Sequence, residues 1–134
     1  MSGRKLLTSS LRQSTAFVPP QISNIQRDML PAMEAAKGAG VRQVVFLSLT
    51  GIEKAKFVPH YKVEQYLLSS GQDYTFLRCS FFMQNLNTAH LDEIRQDSEI
   101  WIPVADARTS FIDVRDIAAV AALALTEGEH ENQK

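Results

Sequence analysis

Val44-Val45-Phe46-Leu47 is an uninterrupted apolar run of strand length, set between two stretches with helical periodicity. A strand that is apolar on both faces needs cover on both sides, which is the environment of a central parallel strand. Ahead of it, Ile22, Ile25, Met29, Met33 and Ala36 recur at three- and four-residue steps up to Gly38 and Gly40. That spacing predicts an amphipathic helix with Pro31 as a local blemish and glycine as its stop. Behind it, a helix is expected from Pro59 to Ser70, ended by Gly71, with Val63, Tyr66 and Leu67 on one face. The alternation continues in both directions. Thr15 to Val18 reads as a short strand stopped by Pro19-Pro20, Tyr74 to Leu77 as a strand, Phe81 to Ile94 as a helix, and Ile100 to Ile102 as a short strand before Pro103. Phe111-Ile112 leads into an Ala-rich helix from Val114 to Leu125, with Asp113 and Asp116 where carboxylates cap free N–H groups and meet the positive end of the dipole. Strands and helices alternating at this spacing predict βαβ units, and so an α/β fold with a parallel sheet covered by helices on both faces.

Composition narrows the function classes. A chain of 134 residues buries roughly two-thirds of its unfolded surface, enough for a core without a disulfide or metal. Fourteen Lys and Arg against fifteen Asp and Glu argue against an electrostatic grip on nucleic acid or an anionic membrane. No apolar run approaches the ~20 residues of a membrane span. Cys79 is the only cysteine, which excludes an internal disulfide and a CxxC site and fits a reducing, cytoplasmic setting. His60, His90 and His130 show no metal-ligand spacing, and no local motif makes Cys79 a nucleophile beside a histidine. The domain is expected over 15–126. Residues 1–14 form a basic, Ser-rich, acid-free lead, a composition shared by transit peptides and frayed ends, and 127–134 an acidic, flexible tail.

In parallel α/β sheets ligands bind beyond the carboxyl ends of the strands. That rule directs the search to Pro19-Pro20-Gln21, Ser48 to Gly51, Arg78 to Ser80 and Pro103 to Arg108. Ser48 and Thr50 put two hydroxyls at a strand mouth, suited to a ribose or a carbonyl, or else they only end the strand and turn the chain. Lys62 falls in the first turn of a helix, where a cation opposes the dipole; it is a ligand contact or a solvated surface lysine. Phe81, Phe82, Met83, Gln84 and Asn85 combine rings with side-chain amides at one junction, either framing an apolar pocket or serving as core. No GxGxxG or GxxGxxG occurs, and Gly38-Ala39-Gly40 follows a helix instead of opening one, so the usual pyrophosphate cradle is absent from the sequence.

The stretches PPQISNIQRDMLPAMEAAKGAGVRQVVFLSLTG, PHYKVEQYLLSSGQDYTFLR, SFFMQN and TSFIDVRDIAAVAALAL, taken in order, resemble the NmrA-like family of atypical short-chain dehydrogenases/reductases. That family includes NAD(P)H-binding redox sensors and quinone or azo-dye reductases. The resemblance implies a partial Rossmann-type fold, the carboxyl-terminal half of an NAD(P)-binding sheet. It implies NADP or NAD as cofactor, with Lys62 reaching the nicotinamide ribose and Phe82, Met83, Gln84 and Asn85 framing the nicotinamide end. Pro20 and Gln21 match the turn after the family's fourth strand, and Ser48 and Thr50 the end of its fifth. Two departures stand out. Val58 occupies the position, four before the lysine, where the wider superfamily has its proton-donating tyrosine, and Tyr61 and His60 are out of register to replace it. Cys79 stands where the family has proline.

The family's first three strands and Gly-rich loop have no counterpart in residues 1–14. Their absence leaves the Thr15 to Val18 strand as an open edge, the kind that recruits a second chain. The expected function is an NAD(P)H-dependent oxidoreductase acting on a quinone- or azo-type acceptor, or its truncated form. The alternatives are a non-catalytic NAD(P)-sensing regulator with a protein partner, and a residual fragment that binds no cofactor.

Overall fold

The computed structural model describes residues 14–17, 24–102, 108–127 and 130–134, and within 14–17 and at Ile25 and Gln26 the backbone alone. Three parallel strands, β1 (Ser14–Phe17), β2 (Gln43–Leu49) and β3 (Asp73–Cys79), lie in the order β1-β2-β3. The register runs Phe17 to Phe46 to Phe76 across the sheet. Helices α1 (Leu30–Gly38) and α2 (Pro59–Ser70) cover one face. Their Met33, Val63 and Leu67, with Met29, close over Val44, Phe46 and Phe76 as the main core. Helix α4 (Val114–Thr126) covers the other face. There buried Gln43 donates from Nε2 to Thr75 Oγ1 (3.3 Å) and to the Ala124 carbonyl of α4 (3.1 Å), so a polar residue in the central strand is satisfied in place. The chain is thus α/β with a parallel sheet covered on both faces, and Val44 to Leu47 form its central strand, as their apolar run requires.

Local signals account for the regular elements. Helix α2 opens with Pro59 at its first position, where a missing N–H costs nothing, and stops at Gly71, whose φ of +77° is the left-handed conformation that glycine adopts freely. Helix α4 opens on Asp113, whose carboxylate accepts from Arg115 N at 2.8 Å.

Three expectations are corrected. The helix predicted through Pro31 is instead a π-helical turn (Ile25–Met29) followed by α1, which places Pro31 in the first turn, where its lack of an N–H and its ring are tolerated. Phe81 to Ile94 is not one helix. Phe81–Phe82 form strand β4, paired in parallel with β5 (Phe111–Ile112), then come a 3-10 turn (Met83–Asn87) and α3 (Leu91–Asp97). Pairing with a segment 30 residues away captures the backbone that helical periodicity would have used. Ile100 to Ile102 carry no strand: Trp101 N donates to Glu93 Oε2 (3.1 Å), and the indole is 73% exposed.

Residues 131–133 run alongside β3. Asn132 N donates to the Tyr74 carbonyl (2.6 Å) and Phe76 N to the Gln133 carbonyl (3.0 Å), in a parallel bridge alongside β3. Among the described residues, no helix is long and apolar enough to cross a membrane.

Candidate functional site

The chain leaving β2 crosses over the end of β3. Thr50 N donates to the Cys79 carbonyl (3.0 Å) and Thr50 Oγ1 to the Arg78 carbonyl (2.9 Å), and Gly51 follows with a φ of +75°. This crossing fixes the mouth of the sheet. A cavity of about 440 Å³ opens there, its wall including Thr50, Cys79, Phe81, Phe82, Asn85 and Thr109. Phe81 and Phe82, with the polar residues Thr50, Asn85 and Thr109 in the same wall, suit a planar ring bearing a hydrogen-bonding substituent. Cys79 is buried and its thiol pKa is pushed up by that burial, so it serves as wall and not as nucleophile.

The structure brings three of the sequence-predicted residues together here: Thr50, Phe82 and Asn85. Met83 lies beside them on the 3-10 turn, 46% exposed. Lys62 is exposed on the first turn of α2. Pro20 and Gln21 lie outside the described residues.

Two predicted contacts are used otherwise. Gln84 commits both ends of its amide, with Nε2 donating to Asp113 Oδ1 (3.0 Å) and Oε1 accepting from Val114 N (3.1 Å). It ties the 3-10 turn to the start of α4. The guanidinium and backbone N–H of Arg115, joined by the Gln84 amide, hold the Asp113 carboxyl well below the usual carboxylate range. That anionic cap already occupies the α4 N-terminus, which removes it as an anion seat. Ser48, expected at the mouth, is 1% exposed and shares its sheet face with its register partner Arg78, under α2.

Sequence spacing missed one feature of this region. Arg78 donates from Nε and Nη2 to the two carboxylate oxygens of Glu64 on α2 (3.1 and 2.6 Å) and from Nη1 to Glu53 (3.2 Å). Glu64 is 1% exposed, and this hydrogen bonding raises the Arg78 pKa further. The pair clamps the helix that carries Lys62 to the end of β3. The three residues come from separate elements, so no local motif reports them; the one hint is an arginine directly after the apolar pair Phe76-Leu77.

A parallel sheet with helices on both faces and a polar-rimmed cavity at its carboxyl edge defines a Rossmann-type half-sheet, a class built to present ligands at that edge. The family model described as the NmrA-like family matches residues 7–134, and the chain belongs to that family. An NAD(P)H azoreductase of Xenophilus azovorans is 40% identical over 125 residues, which are 89% of this chain and 41% of the relative. An agroclavine dehydrogenase of Claviceps fusiformis is 34% identical over 116 residues, 82% of this chain and 39% of the relative. The crystal structure of the Citrobacter sp. triphenylmethane reductase complexed with NADP(H) superposes with a TM-score of 0.70 at 20% identity, covering 90% of this chain and 45% of that one. The chain therefore spans about two-fifths of the length of these curated relatives.

Proposed function

We propose that this chain forms the nicotinamide side of an NAD(P)(H)-dependent oxidoreductase acting on a quinone- or azo-type acceptor. The observation that carries the proposal is the mouth cavity with Thr50, Phe82 and Asn85 in its wall, and the likeness to an NAD(P)H azoreductase adds weight. In this proposal a nicotinamide ring sits against Phe82 and Asn85, and Lys62 and Met83 serve as contacts beyond the cavity wall. The cofactor supplies the hydride chemistry; the protein residues orient the ring and exclude water around it. The same reading takes the cytoplasm as the setting, in keeping with the lone thiol of Cys79.

NADPH titration followed by fluorescence and thermal shift tests this directly. Saturable binding is expected, and Lys62→Ala should weaken it by about tenfold, the loss of one charge-assisted hydrogen bond. No binding at millimolar NADPH would retire the reading and leave a fragment without cofactor. Normal binding by Lys62→Ala would remove that residue from the site.

A second reading, a non-catalytic NAD(P)-sensing regulator with a protein partner, draws on Val58. This residue precedes α2 in extended conformation and offers no proton donor. Binding without turnover of menadione or an azo dye would select it.

Within either reading, the outer edge of β1 pairs with a second copy of the chain. Among the described residues β1 is an edge strand, and unpaired edges of this type recruit other strands. Light scattering should give a mass above that of one chain; a sharp monomer peak with a cooperative melt would count against it.

A further inference from the structure

Three segments of the mouth-cavity wall meet at His90, the residue just before α3. The wall includes Phe81 of β4, Asn85 of the 3-10 turn and Ile102 of the stretch after α3. The His90 ring stacks on that of Phe81, with centroids 5.5 Å apart and planes 29° apart. Its backbone N–H donates to the Asn85 carbonyl (2.9 Å). Its Nδ1 lies 3.0 Å from Glu93 Oε2, and the same oxygen accepts from the backbone N–H of Trp101 (3.1 Å), the neighbour of Ile102. A carboxylate only accepts, so Nδ1 carries the proton and donates, whether the ring is neutral or charged. The His90 side chain is 16% exposed, and Phe81 is braced from another side by Phe111 of β5, edge-on at 5.1 Å.

Residues 100–102 belong to no helix or strand, so the Glu93 carboxylate supplies Trp101 N with an acceptor that no ladder provides. His90 in turn fixes that carboxylate, while its own ring and backbone are fixed on Phe81 and Asn85. We infer that His90 is the positioning residue of the mouth cavity: directly at Phe81 and Asn85, and through Glu93 at Trp101, it sets the gap between Phe81 and Ile102. A planar ring is sensitive to such a gap, because shifts of about 1 Å already spoil its orientation. The inference rests on the proposed use of this cavity for the nicotinamide ring, and adds to it two residues that act through the wall.

The full chain with Glu93→Ala or His90→Phe tests this; phenylalanine keeps a ring for the Phe81 stack and removes Nδ1. NMR without cofactor follows the backbone amide of Trp101, the single tryptophan of the chain. Both variants should move its proton resonance upfield and speed its exchange. Glu93→Gln, whose amide oxygen still accepts from Trp101 N, should restore both toward the unaltered chain. NADPH titration should then give a Kd about tenfold higher in Glu93→Ala and in His90→Phe, with the double variant little worse than either single, since both act through one chain of contacts. Glu93→Gln should bind close to normally, and the urea midpoints should change little, because the pair is partly exposed. A Trp101 amide indifferent to both substitutions would overturn the inference, and so would a displaced amide with unchanged NADPH affinity. If the unaltered chain binds no NADPH, the nicotinamide reading falls, and the Trp101 amide still decides whether His90 holds the wall.

Discussion

Arg78→Ala is expected to destabilise the chain by up to about 3–5 kcal/mol, because it removes both donors from the buried Glu64 carboxylate. Glu64 has 2% of its side chain exposed, and its two oxygens accept from Arg78 at 3.1 and 2.6 Å. The same arginine carries an internal control. Its other partner, Glu53, is 63% exposed, and exposed pairs contribute about 0–1 kcal/mol, so Glu53→Ala should be close to neutral. Urea unfolding of the two variants separates them: a large drop in midpoint for Arg78→Ala and almost none for Glu53→Ala. Replacing both charges by apolar residues of similar volume, Arg78→Met with Glu64→Leu, should recover most of the loss, because no charge is then left buried. A small effect of Arg78→Ala would mean that Glu64 reaches water, and that α2 is not clamped to β3 by this pair.

This clamp marks the limit of what is legible in the sequence. Residues 43–49, α2 between Pro59 and Gly71, and α4 behind Asp113 can be read because their causes are local: an apolar run, a proline, a glycine, a capping carboxylate. Phe81 and Phe82 cannot. Their backbone is taken by Phe111 and Ile112, and nothing in the local periodicity reports a partner 30 residues away. The site divides in the same way. The rule that ligands bind at strand ends finds Thr50 and the 81–85 segment, whereas the use of Gln84 as a tie to α4 and the burial of Ser48 beneath α2 follow from contacts between elements. Side chains with the right chemistry at the right junction were thus legible as a group, and which of them are already engaged by the fold was not.

Phe46→Ala should cost about 3–5 kcal/mol, the range for deleting a fully buried aromatic ring whose surroundings relax only in part. Phe46 is 0% exposed at the centre of the main core, edge-on to Phe76 with centroids 6.4 Å apart and tilted against His60 at 5.9 Å. Collapse around the deletion is restricted, since β2 is held in register by a strand on each side and α2 is tied to β3 through Glu64 and Arg78. The total stability of domains this size is about 5–15 kcal/mol, so the variant is expected to lie near the folding threshold. Phe46→Leu keeps more of the volume and leaves a smaller cavity, so it should cost less than Phe46→Ala. The measurement is the urea midpoint at unchanged slope. If Phe46→Ala shifted it no further than Phe46→Leu, the ring would have to lie outside the core, and the packing of α2 and of the His60 ring on β2 would need to be redrawn.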